Sequence, residues 1–373
     1  MVNWIHVILI LGAVQGFFLT ALIFHRHREL YANRFLATII LMYSVILVHL
    51  VLDETGFYNS IVLVKYSVET LPLFISPLHY LYARALIQDK RYPFKILILH
   101  ALPAILYLVF RIASMSLDLE YGRYQERSLD YIFYNWTINI QGLSYMIFTL
   151  LLINRYTNTL KEMFAALEKV KLTWLRNITI LMLSLLLIFL TENFLFLFDI
   201  NFSHFFNLTS VIMAISVYAL GYMGLSRSEV FSSSEISTPI KQLYQVDPSN
   251  KDASYEKSGL SEEKATQCQK ELLALMKNEE LFRDNNLTLS KVAGKLNIST
   301  HNLSEVINRR IMLNFFDFIN SYRVEQVKKD LLAAEKQNLT LLAIAFDAGF
   351  NSKSSFNAIF KKHTGKTPSE FRK

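Results

Sequence analysis

The segment Leu339–Arg372 reads LTLLAIAFDAGFNSKSSFNAIFKKHTGKTPSEFR, and this pattern predicts two helices joined by a tight turn. Ala345 is a small residue in the first helix, which lets a second helix cross closely over it. Gly349 supplies the left-handed backbone that such a turn needs. Asn351 is a polar cap for the helix that follows. The segment therefore predicts a helix-turn-helix unit whose second helix enters the major groove of duplex DNA.

A second stretch repeats this design upstream. Residues Leu287–Arg310 read LTLSKVAGKLNISTHNLSEVINRR. Ala293 takes the place of Ala345, 52 positions earlier, and polar residues again precede both helices. Between the copies, Asn314–Leu332 has the period of a long amphipathic helix, which we expect to set their separation.

The end of the chain carries signals for one more helix. Gly365 is suited to cap the second recognition helix at its C-terminus. The TPSE tetrapeptide that follows is a capping box, with Pro368 at the first helical position. From Asn285 onward the chain has 14 basic and 7 acidic residues. This positive excess is what contact with DNA phosphates requires.

The recognition helices carry polar and basic side chains suited to base edges and phosphates. In the first helix the candidate DNA-binding residues are Thr300, His301, Asn302, Glu305, Asn308 and Arg309. In the second they are Lys353, Ser354, Asn357, Lys361 and Lys362. Glu305 is ambiguous because a carboxylate accepts from cytosine but is repelled by phosphate. Arg323, in the intervening helix, is expected either to touch the DNA backbone or to form a buried ion pair.

These residues resemble the AraC family of bacterial transcription regulators. The sequence IAFDAGFNSKSSFNAIFKKHTGKTPSEFR, Ile344–Arg372, is similar to that family's C-terminal signature, and FFDFINSYRVEQVKKDLL, Phe315–Leu332, is similar to its linker helix. The resemblance covers about Glu271–Lys373. It implies a seven-helix domain with two helix-turn-helix units in neighbouring major-groove segments. One departure is visible, since Ile311–Leu313 stands where the family usually has a glycine.

The rest of the chain has a different composition. The 373 residues are 52% hydrophobic, with 28 Phe and 19 Tyr against 11 Gly and 7 Pro, which is too apolar for an ordinary soluble domain. Apolar runs long enough to cross a bilayer fall before about Leu225. These seven candidate spans are Val2–Phe24, Phe35–Leu52, Ile61–Leu81, Phe94–Phe110, Trp136–Ile153, Leu175–Phe198 and Phe205–Leu225.

The distribution of Lys and Arg in the connecting loops predicts the orientation of these spans. If the N-terminus is outside, the inner loops carry 12 basic residues and the outer loops 3. Basic residues favour the cytoplasmic side, so an odd number of spans places the C-terminus in the cytoplasm. The first run lacks a basic n-region and a cleavage site, so we interpret it as a retained span.

These patterns predict three regions. Residues 1–225 form a transmembrane sensor-like region of seven helices, residues 226–260 a cytoplasmic linker rich in Ser, and residues 261–373 the double helix-turn-helix domain. The third region begins with a helix predicted over Glu262–Phe282. The single cysteine, Cys268, lies in that helix and is expected to be a structural thiol.

Several features of the membrane region have two interpretations. Its polar residues at membrane depth either line a ligand pocket or hold helices together. They are Lys65, Glu69, His79, Glu192 and Asn193. The inner loop Leu160–Leu172 is expected to be a basic amphipathic helix that lies on the inner leaflet or contacts the tail domain.

Taken together, the sequence predicts an all-α protein: a polytopic transmembrane helix bundle followed by a small DNA-binding domain. The predicted function is membrane-embedded transcription regulation in the bacterial inner membrane, with double-stranded DNA and the lipid bilayer as partners. A small-molecule or membrane-derived signal and a second copy of the chain are further candidate partners. The alternatives are a transporter or channel with a regulatory tail, and a membrane enzyme. No catalytic, cofactor or metal motif is found, so no enzyme activity, cofactor or metal is predicted.

Overall fold

The computed structural model describes residues 4–26, 31–88, 91–118, 129–168, 172–196, 198, 210–222 and 261–372. Within these ranges the chain is helical, has no β-strand and contains one isolated bridge between Phe164 and Thr288. The predicted all-α fold class is confirmed. The chain divides into two compact units, one of residues 1–154 and 172–241, the other of residues 155–171 and 242–373. The predicted linker, residues 226–260, lies outside the described residues.

Eight helices are described up to residue 222, together with a short 3₁₀ turn at Phe57–Ser60. They are α1 Trp4–Arg26, α2 Tyr31–Glu54, α3 Val62–Glu69, α4 Pro72–Gln88, α5 Phe94–Asp118, α6 Leu129–Lys161, α7 Thr173–Phe196 and α8 Ser210–Tyr222. By length and composition α1, α2, α5, α6 and α7 are able to cross a membrane, and α8 is a shorter apolar helix.

The third predicted span, Ile61–Leu81, is not one helix. It is divided between α3, which ends at Glu69, and α4, which begins at Pro72. Proline lacks a backbone N–H and disfavours the α conformation of the residue before it, so the helical ladder is interrupted there. Helix α4 then continues to Gln88, seven positions past the predicted end. Five of the described helices are long and apolar enough to span a membrane, so the count of seven spans remains a prediction.

Small residues allow close helix packing in the first unit. A Cβ atom added to Gly16 of α1 would lie 2.0 Å from the Ser44 hydroxyl of α2 and 2.9 Å from Val217 of α8. A Cβ at Gly221 of α8 would lie 2.3 Å from Leu19. Helices that associate in lipid use small residues in this way, because backbone approach replaces the hydrophobic driving force of water.

The second unit contains seven helices after residue 260. They are α9 Glu262–Asn278, α10 Leu289–Lys295, α11 Thr300–Val306, α12 Phe315–Leu332, α13 Leu341–Asp347, α14 Lys353–Thr364 and α15 Pro368–Arg372. A π-helical turn, Ile307–Ile311, extends α11, and 3₁₀ turns occupy Leu281–Arg283 and Ala334–Lys336. Helix α9 ends before the predicted Phe282 because Glu280 adopts a left-handed conformation, with φ of 47°.

Side-chain caps determine where most of these helices begin. In each case a side-chain oxygen accepts a hydrogen bond from the backbone N–H three residues ahead, which satisfies a donor that the helix leaves free. The capping residues are Ser261, Thr288, Ser299, Asn314, Thr340 and Ser352.

The last two helices, α14 and α15, each begin at a cap whose partners are defined by side-chain hydrogen bonds. Ser352, and not the predicted Asn351, caps α14, because the Asn351 amide donates instead to the Asn285 carbonyl at 2.9 Å. Before α15, Thr367 and Glu370 form a reciprocal capping box, with bonds of 2.7 and 3.3 Å.

Helix α12 joins two hydrophobic cores. Its first half contributes Phe315, Phe318 and Ile319 to a core shared with α9, α10 and α11. Its second half contributes Val324, Val327 and Leu331 to a core shared with α13 and α14. A single rigid helix buried at both ends therefore fixes the separation of the two helix-turn-helix units.

Gly349 is constrained by its backbone and by its neighbours. Its φ is 94°, in the region that residues with a Cβ rarely adopt. A Cβ there would lie 2.5 Å from the Phe282 carbonyl oxygen and 2.9 Å from the Arg283 Cα. The turn of the second helix-turn-helix unit therefore packs directly on the loop that precedes the first helix-turn-helix unit.

We expect Gly349→Ala to lower the free energy of unfolding of the second unit by roughly 1–3 kcal/mol, because the backbone is strained and a neighbour must move. Gly294→Ala is the matched control. Gly294 lies in α10 with nothing within 4 Å of an added Cβ, so alanine there should stabilise by about 0.5–1 kcal/mol. Thiol labelling of the buried Cys268 during urea unfolding of the full chain measures both. Equal effects of the two substitutions would contradict the assignment.

Candidate nucleic-acid interface

The two helix-turn-helix units share a common packing arrangement. Ala293 and Ala345 are both buried in the first helix of their unit, where the second helix crosses. Leu303 and Val306 anchor α11, and Phe356 and Phe360 anchor α14. The candidate DNA-binding residues lie on the opposite face of each second helix. Gly365 ends α14 with φ of 75°, and Pro368 begins α15.

The face of α14 is open to solvent. The five candidate DNA-binding residues on it all have exposed side chains: Lys353, Ser354, Asn357, Lys361 and Lys362. Lys362 bonds to the Asp317 carboxylate at 2.7 Å, which attaches α14 to the start of α12. Burial raises the pKa of Asp317, but the hydrogen bond and charge of Lys362 outweigh it, and the pKa lies below its ordinary value. This ion pair is therefore intact at neutral pH.

The face of α11 is more occupied by the protein itself. Thr300, His301 and Arg309 are exposed, whereas Asn302, Glu305 and Asn308 are half-buried. Arg309 pairs with Glu305 at 2.8 Å, one helical turn apart, so two candidate contacts are bonded to each other.

Asn308 has partners on two sides. It donates to the Ser304 hydroxyl at 3.2 Å and to the Glu162 carboxylate at 2.9 Å. Glu162 belongs to the loop Leu160–Leu172, for which contact with the tail domain is one of two expectations, and that contact is confirmed. Its bond to a candidate DNA-binding residue has no signal in the sequence.

Met312 stands where the resemblance leads one to expect a glycine. Its φ of 61° is left-handed, so the backbone makes the turn that a glycine would make. The preceding π-helical turn, Ile307–Ile311, places one extra residue in the end of the recognition helix. The departure in sequence is therefore absorbed by backbone geometry between α11 and α12.

Arg323 is buried, with 1% of its surface exposed, and it binds oxygen atoms of the protein. Its guanidinium donates to the carbonyls of Phe282 at 2.8 Å, Asp284 at 2.9 Å and Ala165 at 3.1 Å, and to the Asn320 side-chain oxygen at 3.3 Å. Burial lowers its pKa to about 10.

The expected DNA backbone contact of Arg323 is thus wrong, whereas its expected burial is confirmed. The acidic side chains of Glu168 and Asp284 favour its charge, but its hydrogen bonds are made to other groups. Its guanidinium is enclosed and its hydrogen bonds go to uncharged oxygens. Five donors in a fixed plane suit arginine to binding several carbonyls at once.

The candidate polar residues of the membrane region are held by neighbours within the first unit. Lys65 pairs with Asp53 at 2.6 Å and with Glu69 at 3.8 Å, and Glu69 also faces Arg111 at 3.8 Å. Buried His79 bonds to the Thr179 hydroxyl at 2.9 Å.

Two further candidates lie near the end of α7. The Asn193 amide bonds to a carbonyl of its own helix at 2.8 Å. The Glu192 side chain lies outside the described part of the structure. A cavity of about 270 Å³ in the first unit is lined mostly by apolar side chains, such as Met146 and Met182, and by none of the five candidates.

Comparison with known proteins supports this interpretation of the C-terminal region. Residues 292–373 match the family model described as a helix-turn-helix domain. An HTH-type transcriptional regulator of Staphylococcus aureus (strain COL) is 32% identical over 93 residues, which is 25% of this chain and 12% of that protein. The melibiose operon regulatory protein of Escherichia coli (strain K12) is 30% identical over 90 residues, 24% of this chain and 29% of that protein.

The chain therefore spans only a small part of the curated relatives that it matches. A solved structure, the C-terminal domain of AraT, a response regulator from Geobacillus stearothermophilus, is 27% identical. It covers 31% of this chain and 87% of its own, with a TM-score of 0.25. The family match and the regulators that the chain resembles in sequence make residues 292–373 a helix-turn-helix domain of the kind found in DNA-binding transcription regulators.

We expect Arg323→Lys to destabilise the second unit by more than about 2 kcal/mol, because a single ammonium cannot satisfy three separated carbonyls that are buried. Arg372→Lys is the matched control. Arg372 also binds carbonyls, of Leu339 at 2.7 Å and of Gln337, but it is only half-buried, so water replaces what lysine cannot reach. Arg372→Lys should therefore lower the free energy of unfolding by only about 0.5–1 kcal/mol. Urea unfolding of the full chain, monitored by Cys268 labelling, measures the loss of stability in both variants. Equal losses in Arg323→Lys and Arg372→Lys would contradict the role assigned to Arg323.

Proposed function

We propose that the chain is a membrane-anchored, sequence-specific DNA-binding transcription regulator. The apolar helices hold it in the bacterial inner membrane, the N-terminus faces outward and the second unit lies in the cytoplasm. The recognition helices α11 and α14 enter neighbouring major-groove segments of one duplex. The observation that carries this proposal is the presence, on one chain, of a helix-turn-helix domain with an open basic recognition face and five helices long and apolar enough to span a bilayer.

The distribution of roles within the interface follows from exposure and charge. Lys353 and Lys361 meet phosphates, because exposed ammonium groups gain from releasing condensed counterions. Lys362 lies beside them on the same face, with its ammonium group paired to Asp317. Ser354 and Asn357 face base edges, for which hydroxyl and amide groups are suited. On α11, Thr300, His301 and Asn302 lie at the N-terminal end, the part of a recognition helix that approaches bases in this motif.

The apolar region supports a sensing role within the same proposal. A small apolar or membrane-derived molecule acts on the bundle, and two copies of the chain present their second units to paired DNA sites. Reporter transcription driven by the full chain, measured across growth conditions, tests the sensing role. Transcription that is the same under every condition would contradict that role. Chemical crosslinking of the chain in membrane vesicles tests the pairing, and recovery of monomers alone removes that part.

DNA binding is tested by the salt dependence of affinity, measured with the full chain in detergent micelles and a duplex of about 30 base pairs selected from a random pool. We expect a linear fall of log K with log salt concentration. Lys361→Ala should reduce the magnitude of that slope by about 0.9, since one phosphate contact is lost.

Lys277→Ala is the matched control. It removes the same charge from α9, outside both recognition helices, and should leave the slope unchanged. An unaltered slope in Lys361→Ala removes the phosphate role of that residue. Failure of every form of the chain to bind any DNA in the pool contradicts the proposed function itself.

A further inference from the structure

The segment Glu162–Glu168, which follows α6 along the chain, lies against the helix-turn-helix domain within the second unit. The Ala165 N–H donates to the Leu287 carbonyl at 3.2 Å, and the Leu289 N–H donates to the Met163 carbonyl at 2.8 Å. Phe164 and Thr288 form the antiparallel bridge between them. The helix predicted over Leu160–Leu172 is therefore wrong at 162–168, where α6 ends in a turn and the Met163 carbonyl and the Ala165 N–H bond to another segment. Residues 169–171 lie outside the described part.

The Ala165 carbonyl meets two buried donors. The Arg323 guanidinium and the Asn320 amide each donate to it at 3.1 Å. Asn320 is 0% exposed, Arg323 is 1% exposed, and the Ala165 side chain is itself part of the first core. Buried donors are costly unless an acceptor reaches them. The domain thus has a site with defined polar and apolar requirements, and this segment of the same chain meets both.

The ends of the segment carry carboxylates that reach both recognition helices. The Glu162 carboxylate accepts from Asn308 of the α11 extension at 2.9 Å. The Glu168 carboxylate accepts from the hydroxyl of Ser352, the cap of α14, at 3.4 Å. Carboxylates beside groups that face DNA disfavour phosphate binding, by charge and by occupying the donors.

We propose that Glu162–Glu168 is an internal inhibitory segment that competes with DNA for the second unit. When it is docked, its carboxylates occupy Asn308 and the start of α14, and DNA affinity is low. When it withdraws, both recognition helices are available. The inference rests on the proposed function and adds its control: residues 162–168 connect α6 to α7 in sequence, so a displacement of either helix acts on the segment directly.

The test substitutes the buried alanine with a cation. Ala165→Arg places a second guanidinium beside Arg323 in a space that holds a methyl group, which expels the segment. Asn158→Arg adds the same charge at an exposed position of α6 and leaves the segment in place. Affinity for the selected duplex is measured for the full chain in detergent micelles at low and high salt.

We expect Ala165→Arg to bind DNA roughly 5-fold or more tightly than Asn158→Arg, the lower end of typical coupling between sites. The ratio should persist at high salt, since a mere effect of added charge is screened. Equal affinities overturn the proposal, and weaker binding by Ala165→Arg overturns it in favour of a scaffold role. If neither variant nor the unaltered chain binds any duplex, it is the proposed function that fails.

Two measurements keep the result interpretable. Cys268, in the first core, should stay unreactive to thiol reagents in Ala165→Arg, which shows that the domain remains folded. Hydrogen exchange in the unaltered chain should show slow amides at Ala165 and Leu289 without DNA and a faster Ala165 amide with DNA. An Ala165 amide that stays equally slow when DNA is bound contradicts competition, whatever the variants do.

Discussion

The second unit depends on one buried cation. The Arg323 guanidinium is removed from water, and a charge in that position is tolerated only because carbonyl oxygens from separate segments converge on it. Two of those carbonyls belong to the loop before α10, which is also the loop on which Gly349 packs. Helix α12, the first helix-turn-helix unit and the turn of the second are thereby held in one arrangement. The spacing of the recognition helices follows from that arrangement and from the two cores that α12 joins.

The same constraint explains why a segment distant in sequence belongs to this unit. Arg323 has more donors than the loop before α10 can satisfy, and the Ala165 carbonyl accepts one that remains. An acceptor from outside the helix-turn-helix region is thus part of the folded domain, which makes the domain sensitive to where residues 162–168 are. In the proposed function the signal is received in the membrane region, and this segment supplies the connection. Its carboxylates then give its position a direct effect on charge beside the candidate DNA-binding residues.

The two recognition helices differ in how far the protein itself occupies them. On α14 the candidate contacts are exposed, and the ion pair of Lys362 with Asp317 leaves its neighbours Lys361 and Asn357 open. On α11, Glu305 is paired with Arg309 and Asn308 is bonded to Glu162. In the proposed mechanism, α14 supplies most of the phosphate attraction and α11 is the helix whose availability changes.

Much of the fold could be predicted because its signals are local. The alternation of caps, small residues and turn glycines around Thr288, Ser299 and Thr340 fixes helix starts within a few residues, and apolar runs identify the long helices. The errors share another cause. The cap at Ser352, the carbonyl partners of Arg323 and the non-helical form of residues 162–168 each depend on a backbone group far away in sequence, and backbone carbonyls carry no residue signature. The interruption of the predicted span Ile61–Leu81 before Pro72 has a different cause, since the proline that produces it is a local signal in the sequence.

The most direct test of membrane-anchored DNA binding is recovery of DNA with the membrane-bound protein. Cells expressing the full chain are crosslinked with formaldehyde, their membrane fraction is isolated, and DNA that coprecipitates with the protein is sequenced. We predict a small number of discrete genomic sites, enriched from the membrane fraction. If DNA recovered from that fraction is no different from DNA recovered from cells that lack the protein, the claim that this chain binds DNA while anchored in the membrane is contradicted.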